Sequence, residues 1–206
     1  ERLQWVSWLR SAAPYVHLHH GRTFVISFAG EVVADRTLLN HLVMDVSLIA
    51  SMGMRVVLVH GSRPQIEELM SLRKLEGQFY KGVRITGPQE LECVKEACGE
   101  TRFDIEAAFS QGLPNTPMQH SRIKVVSGNF VTARPMGIID GVDYLHTGVV
   151  RKVDAESIQD LLSRGNIVLV SPTCFSPTGE AFNLTTEDVA TAIGVAIHAH
   201  KLILSV

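Results

Sequence analysis

The 206-residue sequence predicts a doubly wound α/β fold, in which a mainly parallel sheet carries helices on both faces. Three observations support this. The continuous apolar runs in "RVVLVHG" (residues 55–61) and "NIVLVSP" (residues 166–172) suit parallel strands buried on both faces. Segments with apolar residues at helical spacing alternate with these runs. Capping and turn residues punctuate the alternation, with no internal repeat, linker or low-complexity segment between.

The elements follow in order. Trp5, Trp8, Leu9 and Ala12 fall at i, i+3, i+4 and i+7, one face of a helix that Pro14 is expected to break or kink. A second short helical piece is expected over residues 15–20, stopped by Gly21. A strand at residues 24–28 precedes a helix that buries Leu38, Leu39, Leu42, Val43, Val46 and Ile49 and ends at Gly53. The strand in "RVVLVHG" then completes a strand–helix–strand unit with a right-handed crossover. A helix through Ile66, Leu69 and Met70 leads to a loop carrying Arg84. One helical stretch is expected over residues 91–97, and another is marked by Ile105, Ala108 and Phe109. Residues 123–153 change texture: short β runs alternate with Gly and Asn turns, as in hairpins set apart from the main sheet, with Ser127 as a turn residue. Asp154 is placed to cap a helix bearing Ile158, Leu161 and Leu162. Thr185 or Thr186 can cap the last helix, where Val189, Ala192, Ile193 and Ala196 keep helical spacing, and "KLILSV" is a final strand.

Composition narrows the function. With 46% apolar residues the chain can bury a core of one domain, at most two. A net charge of −2 and the lack of a basic stripe exclude a general nucleic-acid binder. No apolar run reaches the roughly 18 residues of a membrane span, so no membrane partner is expected. Cys93, Cys98 and Cys174 include no C-x-x-C pair, and an odd count suits a reducing compartment; a cytoplasmic protein is expected. The chain begins at Glu1 without an initiator Met, as a trimmed chain would.

Ligands of such folds bind at the carboxyl ends of the strands, where loops 29–31, 61–64 and 172–183 converge. "TFVISFAGEVV" brings Ala29 and Gly30 to a turn whose N–H groups can approach an anion, yet Ser27 and Glu31 supply no positive charge. "VHGSRPQ" runs from a strand into a helix starting near Pro64. It reads equally as a tight turn or as an anion site with Arg63 as an added donor. Arg84 in "GVRITGPQE" reads equally as a bidentate grip on a carboxylate or as a structural ion pair. Asn183 precedes the last helix, whose first turn holds Glu187 and Asp188, residues the helix dipole favours there. His17, His19 and His20 lack a carboxylate or Cys at ligand spacing, so no metal is expected. A G-x-S-x-G elbow and a Walker A loop are both absent from the sequence.

Taken together, "PYVHLHHGRTFVISFAGEVV", "VVLVHGSRPQIEEL", "GVRIT", "HTGVVRKVDAESIQDLLSRGNIVLVSP" and "FNLTTEDVATAIGVAI" resemble the amino-acid kinase family. Within it they are most similar to the kinase-like portion of bacterial N-acetylglutamate synthases, along nearly the whole chain and in the family's order. The resemblance implies a three-layer αβα sandwich of the acetylglutamate kinase type, with a β-hairpin excursion. It divides the chain into an N-terminal helix, residues 1–22, for oligomerisation and arginine sensing, and a kinase-like N-lobe, residues 23–206. The remainder of the C-lobe and an acetyltransferase domain would lie outside this chain.

Active kinases of the family carry a Lys where this chain has Ser27, a Gly where it has Ala29, and a Gly-rich second loop where it reads His60, Gly61, Ser62, Arg63. Their organising Asp corresponds to Glu187. One cation about 4 Å from a phosphate charge is worth roughly 4 kcal/mol at an effective dielectric near 20. Losing it costs about a thousandfold in rate, because phosphoryl transfer is mostly positioning and charge stabilisation. Arg63 lies on another loop and is bulky where glycine is expected. The resemblance therefore implies lost kinase activity, with Gly30 and Gly61 as vestigial phosphate loops and no catalytic residue in this chain. Arg84 and Asn183 match residues that hold the amino-acid carboxylate, and Tyr15 matches one that contacts the inhibitor L-arginine. The parent enzyme would transfer acetyl from acetyl-CoA to L-glutamate and assemble as a homo-oligomer, a hexamer, while this chain binds no cofactor. The rivals are an active acetylglutamate-type kinase and a non-enzymatic amino-acid-binding scaffold.

Overall fold

A computed structural model describes residues 2–111 and 123–204. Helix α1 (Arg2–His19) precedes strand β1 (Thr23–Phe28), the short α2 (Gly30–Ala34) and α3 (Arg36–Ser51). Strand β2 (Arg55–His60) leads through α4 (Arg63–Leu72) to the hairpin β3 (Gln78–Tyr80) and β4 (Val83–Ile85). Helix α5 (Pro88–Gln111) is followed by β5 (Val125–Ser127), β6 (Val131–Pro135), β7 (Ile138–Ile139), β8 (Val142–Asp143) and β9 (Gly148–Val153). The chain closes with α6 (Ala155–Ser163), β10 (Ile167–Val170), β11 (Thr173–Phe175), β12 (Ala181–Asn183), α7 (Thr186–Ala196) and β13 (Lys201–Leu204).

The central sheet is wholly parallel, in the order β13-β1-β2-β10-β5. Alternation along its strands sorts the side chains between two faces. Phe24, Ile26, Phe28, Val56, Leu58 and Leu169 pack with Val43 and Val46 of α3 and Ile105 and Phe109 of α5. Val25, Val57, Val59, Val168 and Val170 pack with Ile158 and Leu162 of α6 and Val189 and Ile193 of α7. Each such buried side chain contributes about 1.5–3 kcal/mol. Asp35 caps α3 through Thr37 N at 2.7 Å and Leu38 N at 3.2 Å, and Asp154 caps α6 as expected through Ser157 N at 3.1 Å.

The helices also set the crossover sides. The chain moves from β1 through β2 to β5 across the face covered by α3 and α5, and returns through β10 to β13 across the face covered by α6 and α7. The connections leaving the neighbours β2 and β10 therefore depart to opposite faces, which opens a ligand crevice between their carboxyl ends.

Several expectations are corrected. Helix α1 runs unbroken through Pro14 instead of ending there, because proline removes one donor and the ladder resumes, as His20 N to Val16 O at 2.9 Å shows. The helical pieces expected on either side of residue 100 are one 24-residue helix: buried Thr101 continues the stripe between Cys98 and Ile105 that an apolar count interrupts. Ser127 ends a strand of the main sheet instead of turning a hairpin. The loop expected over residues 172–183 contains β11 and β12, which join β6 and β9 in a second sheet of order β12-β11-β6-β9. The β7–β8 hairpin in the 123–153 region is found as expected.

Two hairpins flank the crevice. One turns on Lys81 (φ 49°) and Gly82 (φ 80°), the other on Asp140 (φ 54°) and Gly141 (φ 79°), the paired positive-φ pattern of two-residue loops. Their tips meet: Lys81 Nζ lies 2.5 Å from Asp140 Oδ2, and the Tyr144 hydroxyl donates to Tyr80 O at 3.2 Å.

Candidate functional site

The loops that the sequence singled out at Gly30 and Gly61 come together at the head of the crevice. Gly61 N donates to Phe28 O at 2.7 Å, and Gln65 Nε2 donates to Gly30 O at 2.8 Å. A Cβ on Gly30 would stand 2.5 Å from Gln65 Oε1, 2.9 Å from Pro64 Cδ and 3.0 Å from Ser62 Cα, so only glycine fits. Ser27 is buried in β1, in register with Val59 on one side and Leu204 on the other. Arg63 is turned to Glu67 Oε1 at 2.9 Å with its side chain 74% exposed, a surface i,i+4 pair. Glu187 is exposed in the first turn of α7, whose N-cap Thr185 makes no side-chain capping bond.

His60 is the residue that sequence reasoning missed. It ends β2, fully buried, where the crevice opens. Its Nε2 is 2.8 Å from Ser171 Oγ at the end of β10, and its Nδ1 is 3.2 Å from Gly61 O and 3.2 Å from Ser62 Oγ. Burial lowers the imidazole pKa to about 4, against the opposing bond to Gly61 O and with help from the positive charge of Arg102. The ring is neutral at pH 7. A proton on Nδ1, donated to Gly61 O, leaves Nε2 to accept the Ser171 hydroxyl. A neutral side chain thus spans the switch point from one strand end to the other. The signal was in the sequence: "VLVHGS" and "VLVSP" end two adjacent strands in polar residues.

The opposite side is built from the hairpin β3–β4 and from β12. Thr147 Oγ1 donates to Arg84 O at 2.6 Å, accepts from Thr86 N at 3.1 Å and sits 2.9 Å from Thr86 Oγ1. Asn183 Nδ2 donates to the same Thr86 oxygen at 3.1 Å, and Asn183 N bonds His146 O at 2.9 Å. The fold therefore gathers Arg84 and Asn183 around one pair of threonines. The Arg84 guanidinium, with a side chain 10% exposed, lies over the Phe79 ring at 4.6 Å, touches Met70 Sδ at 3.1 Å and reaches Glu67 Oε1 only at 3.4 Å. Burial lowers its pKa from the usual value, opposed by Glu67 and reinforced by neighbouring Arg63.

Tyr15 lies on α1 and is 68% exposed. Trp8 is also exposed, whereas the side chains of Trp5 and Leu9 fall outside the described residues. His20 Nδ1 sits 3.1 Å from Met52 O, and His19 packs edge-on to Phe24 at 5.4 Å, so this end of α1 ties the helix to the sheet. Among the described residues no group of three His, Cys, Asp or Glu is placed to hold a metal ion, and no helix is long and apolar enough to cross a membrane.

Residues 22–205 match the model of the amino acid kinase family. The amino-acid acetyltransferase of Ralstonia nicotianae is 60% identical over 203 residues, covering 98% of this chain and 45% of that protein. The structure of N-acetylglutamate synthase from Neisseria gonorrhoeae complexed with coenzyme A and L-arginine superposes with a TM-score of 0.87 at 33% identity, over 98% of this chain and 47% of that one. The same enzyme complexed with coenzyme A and N-acetyl-glutamate gives 0.86 at 34% identity, over 97% and 45%. The chain thus spans about half the length of the relatives it matches.

Proposed function

The chain belongs to the amino acid kinase family, and from that premise we propose that it is the kinase-like, phosphoryl-transfer-incompetent portion of an N-acetylglutamate synthase. The parent enzyme makes N-acetyl-L-glutamate and coenzyme A from acetyl-CoA and L-glutamate, and this portion senses L-arginine and joins subunits into a homo-oligomer, a hexamer. The observation that carries the reading is the head of the crevice. Where phosphoryl transfer needs a cation and open glycine N–H groups, the chain has buried Ser27, a Gly30 loop packed on α4, and neutral His60 bonded across to Ser171.

Arg84 and Asn183 retain the residues of an amino-acid carboxylate pocket, and Tyr15, exposed on α1, is the contribution to the arginine site. The relative from Neisseria, whose structures hold coenzyme A with L-arginine or with N-acetyl-glutamate, supports both the ligand set and the acetyl-transfer chemistry.

The test uses the full-length protein. Incubated with ATP, magnesium and N-acetyl-L-glutamate, it should yield acylphosphate at less than about a thousandth of an active kinase's rate, while the same preparation releases coenzyme A from acetyl-CoA and L-glutamate. Acylphosphate formed at the rate of a working kinase would overturn the proposal, and so would failure to acetylate glutamate.

A further inference from the structure

Arg84 and Asn183 lie on different strands, β4 and β12, and two buried threonines, Thr86 and Thr147, stand between them. The backbone around them is already locked. Thr86 pairs with Leu145 and Thr147 with Asn183 as isolated parallel bridges, while His146 N donates to Thr86 O and Asn183 N to His146 O, both at 2.9 Å. With the main chain held by its own bonds, the two threonine hydroxyls are left to settle the side chains.

Their bonds can run in one direction only. A hydroxyl has one hydrogen to give and two lone pairs to receive with, and a carbonyl can only receive. Thr147 Oγ1 is 2.6 Å from Arg84 O, too close for two acceptors without a hydrogen between them, so the Thr147 proton goes there. The 2.9 Å contact between the two hydroxyl oxygens then takes the Thr86 proton. Thr147 Oγ1 accepts that bond together with the one from Thr86 N at 3.1 Å, which fills its capacity. Thr86 has nothing left to donate, so the atom of Asn183 that lies 3.1 Å away must be the amide nitrogen. The chain runs from Asn183 Nδ2 through Thr86 and Thr147 to Arg84 O.

The consequence falls at the other end of the carboxamide. A flipped amide is excluded, because it would set Oδ1 against an oxygen with no hydrogen to offer. Among the described residues no donor is bonded to Oδ1, and Asn183 is half-buried, so this oxygen is an acceptor held in one orientation. Together with the Arg84 guanidinium it calls for a ligand that brings an N–H as well as a carboxylate.

We propose that Thr86, relayed by Thr147, is the positioning residue that makes this pocket select an amino acid or its N-acyl derivative over 2-oxo acids and esters of the same shape. The inference rests on the proposed reading of Arg84 and Asn183 as a residual amino-acid pocket. The probes are N-acetyl-L-glutamate and its ester isostere, O-acetyl-(S)-2-hydroxyglutarate, in which oxygen replaces the N–H. Each is titrated calorimetrically into the full-length protein. Only the component of binding that Arg84→Met removes is counted, which sets aside any site elsewhere in that protein. In the wild type this component should favour the amide by about tenfold or more. Thr86→Ser, which keeps the hydroxyl, should keep the preference. Thr86→Val keeps the volume but cannot accept from Asn183, so the amide is free to turn and the preference should fall to within about twofold. Merely structural damage would weaken both probes alike and leave their ratio unchanged. Equal binding of the two probes by the wild type, a preference that survives in Thr86→Val, or one that is lost in Thr86→Ser would overturn the assignment and leave the pocket standing. Binding with no component that depends on Arg84 would remove the pocket, and the assignment with it.

Discussion

On the β2 side of the crevice backbone meets backbone, with Gly61 bonded to Phe28 and Gly30 pressed on Ser62 and Pro64, and one neutral imidazole fills what remains. On the β12 side a charged guanidinium is kept, desolvated, over an aromatic ring and, among the described residues, in an ion pair with one half-exposed acid, Glu67. The first region bonds nearly all its polar groups internally, buried Gln65 Oε1 being left without a partner among the described residues. The second carries a desolvation cost that Glu67 offsets only in part. On the proposed reading, a site that loses its reaction closes over its former charge, whereas a site that still recognises something remains electrostatically unfinished.

The largest effect expected from breaking this contrast is on the closed side. In the unfolded chain His60 takes a proton near pH 6.5, while the folded protein resists it until about 4. Stability is therefore complete above pH 6.5 and falls as pH drops through that window, by roughly 3 kcal/mol in all. Denaturant titrations from pH 7.5 to 4 should show this loss in the wild type and a much flatter profile in His60→Gln. Parallel profiles would mean that the ring is not held neutral. On the other side, Thr147→Val strips Thr86 N of its acceptor and Arg84 O of its donor. The expected loss is about 2 kcal/mol by equilibrium unfolding, nearly independent of pH between 7.5 and 4. The smallest change in stability belongs to Tyr15→Ala, outside both regions: less than about 0.5 kcal/mol, since the ring is exposed. On the proposed reading, the same substitution in the full-length protein should shift arginine inhibition to about tenfold higher arginine. An unmoved inhibition curve would remove Tyr15 from the arginine site.

What the sequence disclosed followed from how far a residue's environment is set by its neighbours in the chain. The strands at Val56–Val59 and Ile167–Val170 were legible because burial on both faces leaves a continuous apolar run. The Asp154 cap was legible because it acts three residues away. Helix α5 was split because Thr101, polar yet buried, occupies a position in the stripe where an apolar residue is expected. Strands β5, β11 and β12, three residues each, are too short to show a period and exist because partners far along the chain pair with them. The site divided in the same way. Gly30, Gly61, Arg84 and Asn183 could be picked out locally, but the role of His60 depends on Ser171, 111 residues away.

The clasp between Lys81 and Asp140 has a mechanical consequence. Both residues are turn residues at the tips of separate ribbons, and the Tyr144 hydroxyl on Tyr80 O adds a second rivet between those ribbons. Arg84 rides on one of them and is pinned by its own carbonyl to Thr147, just past the other. Displacing either ribbon alone would break all three contacts, so the backbone that carries Arg84 and the neighbouring ribbon are positioned together.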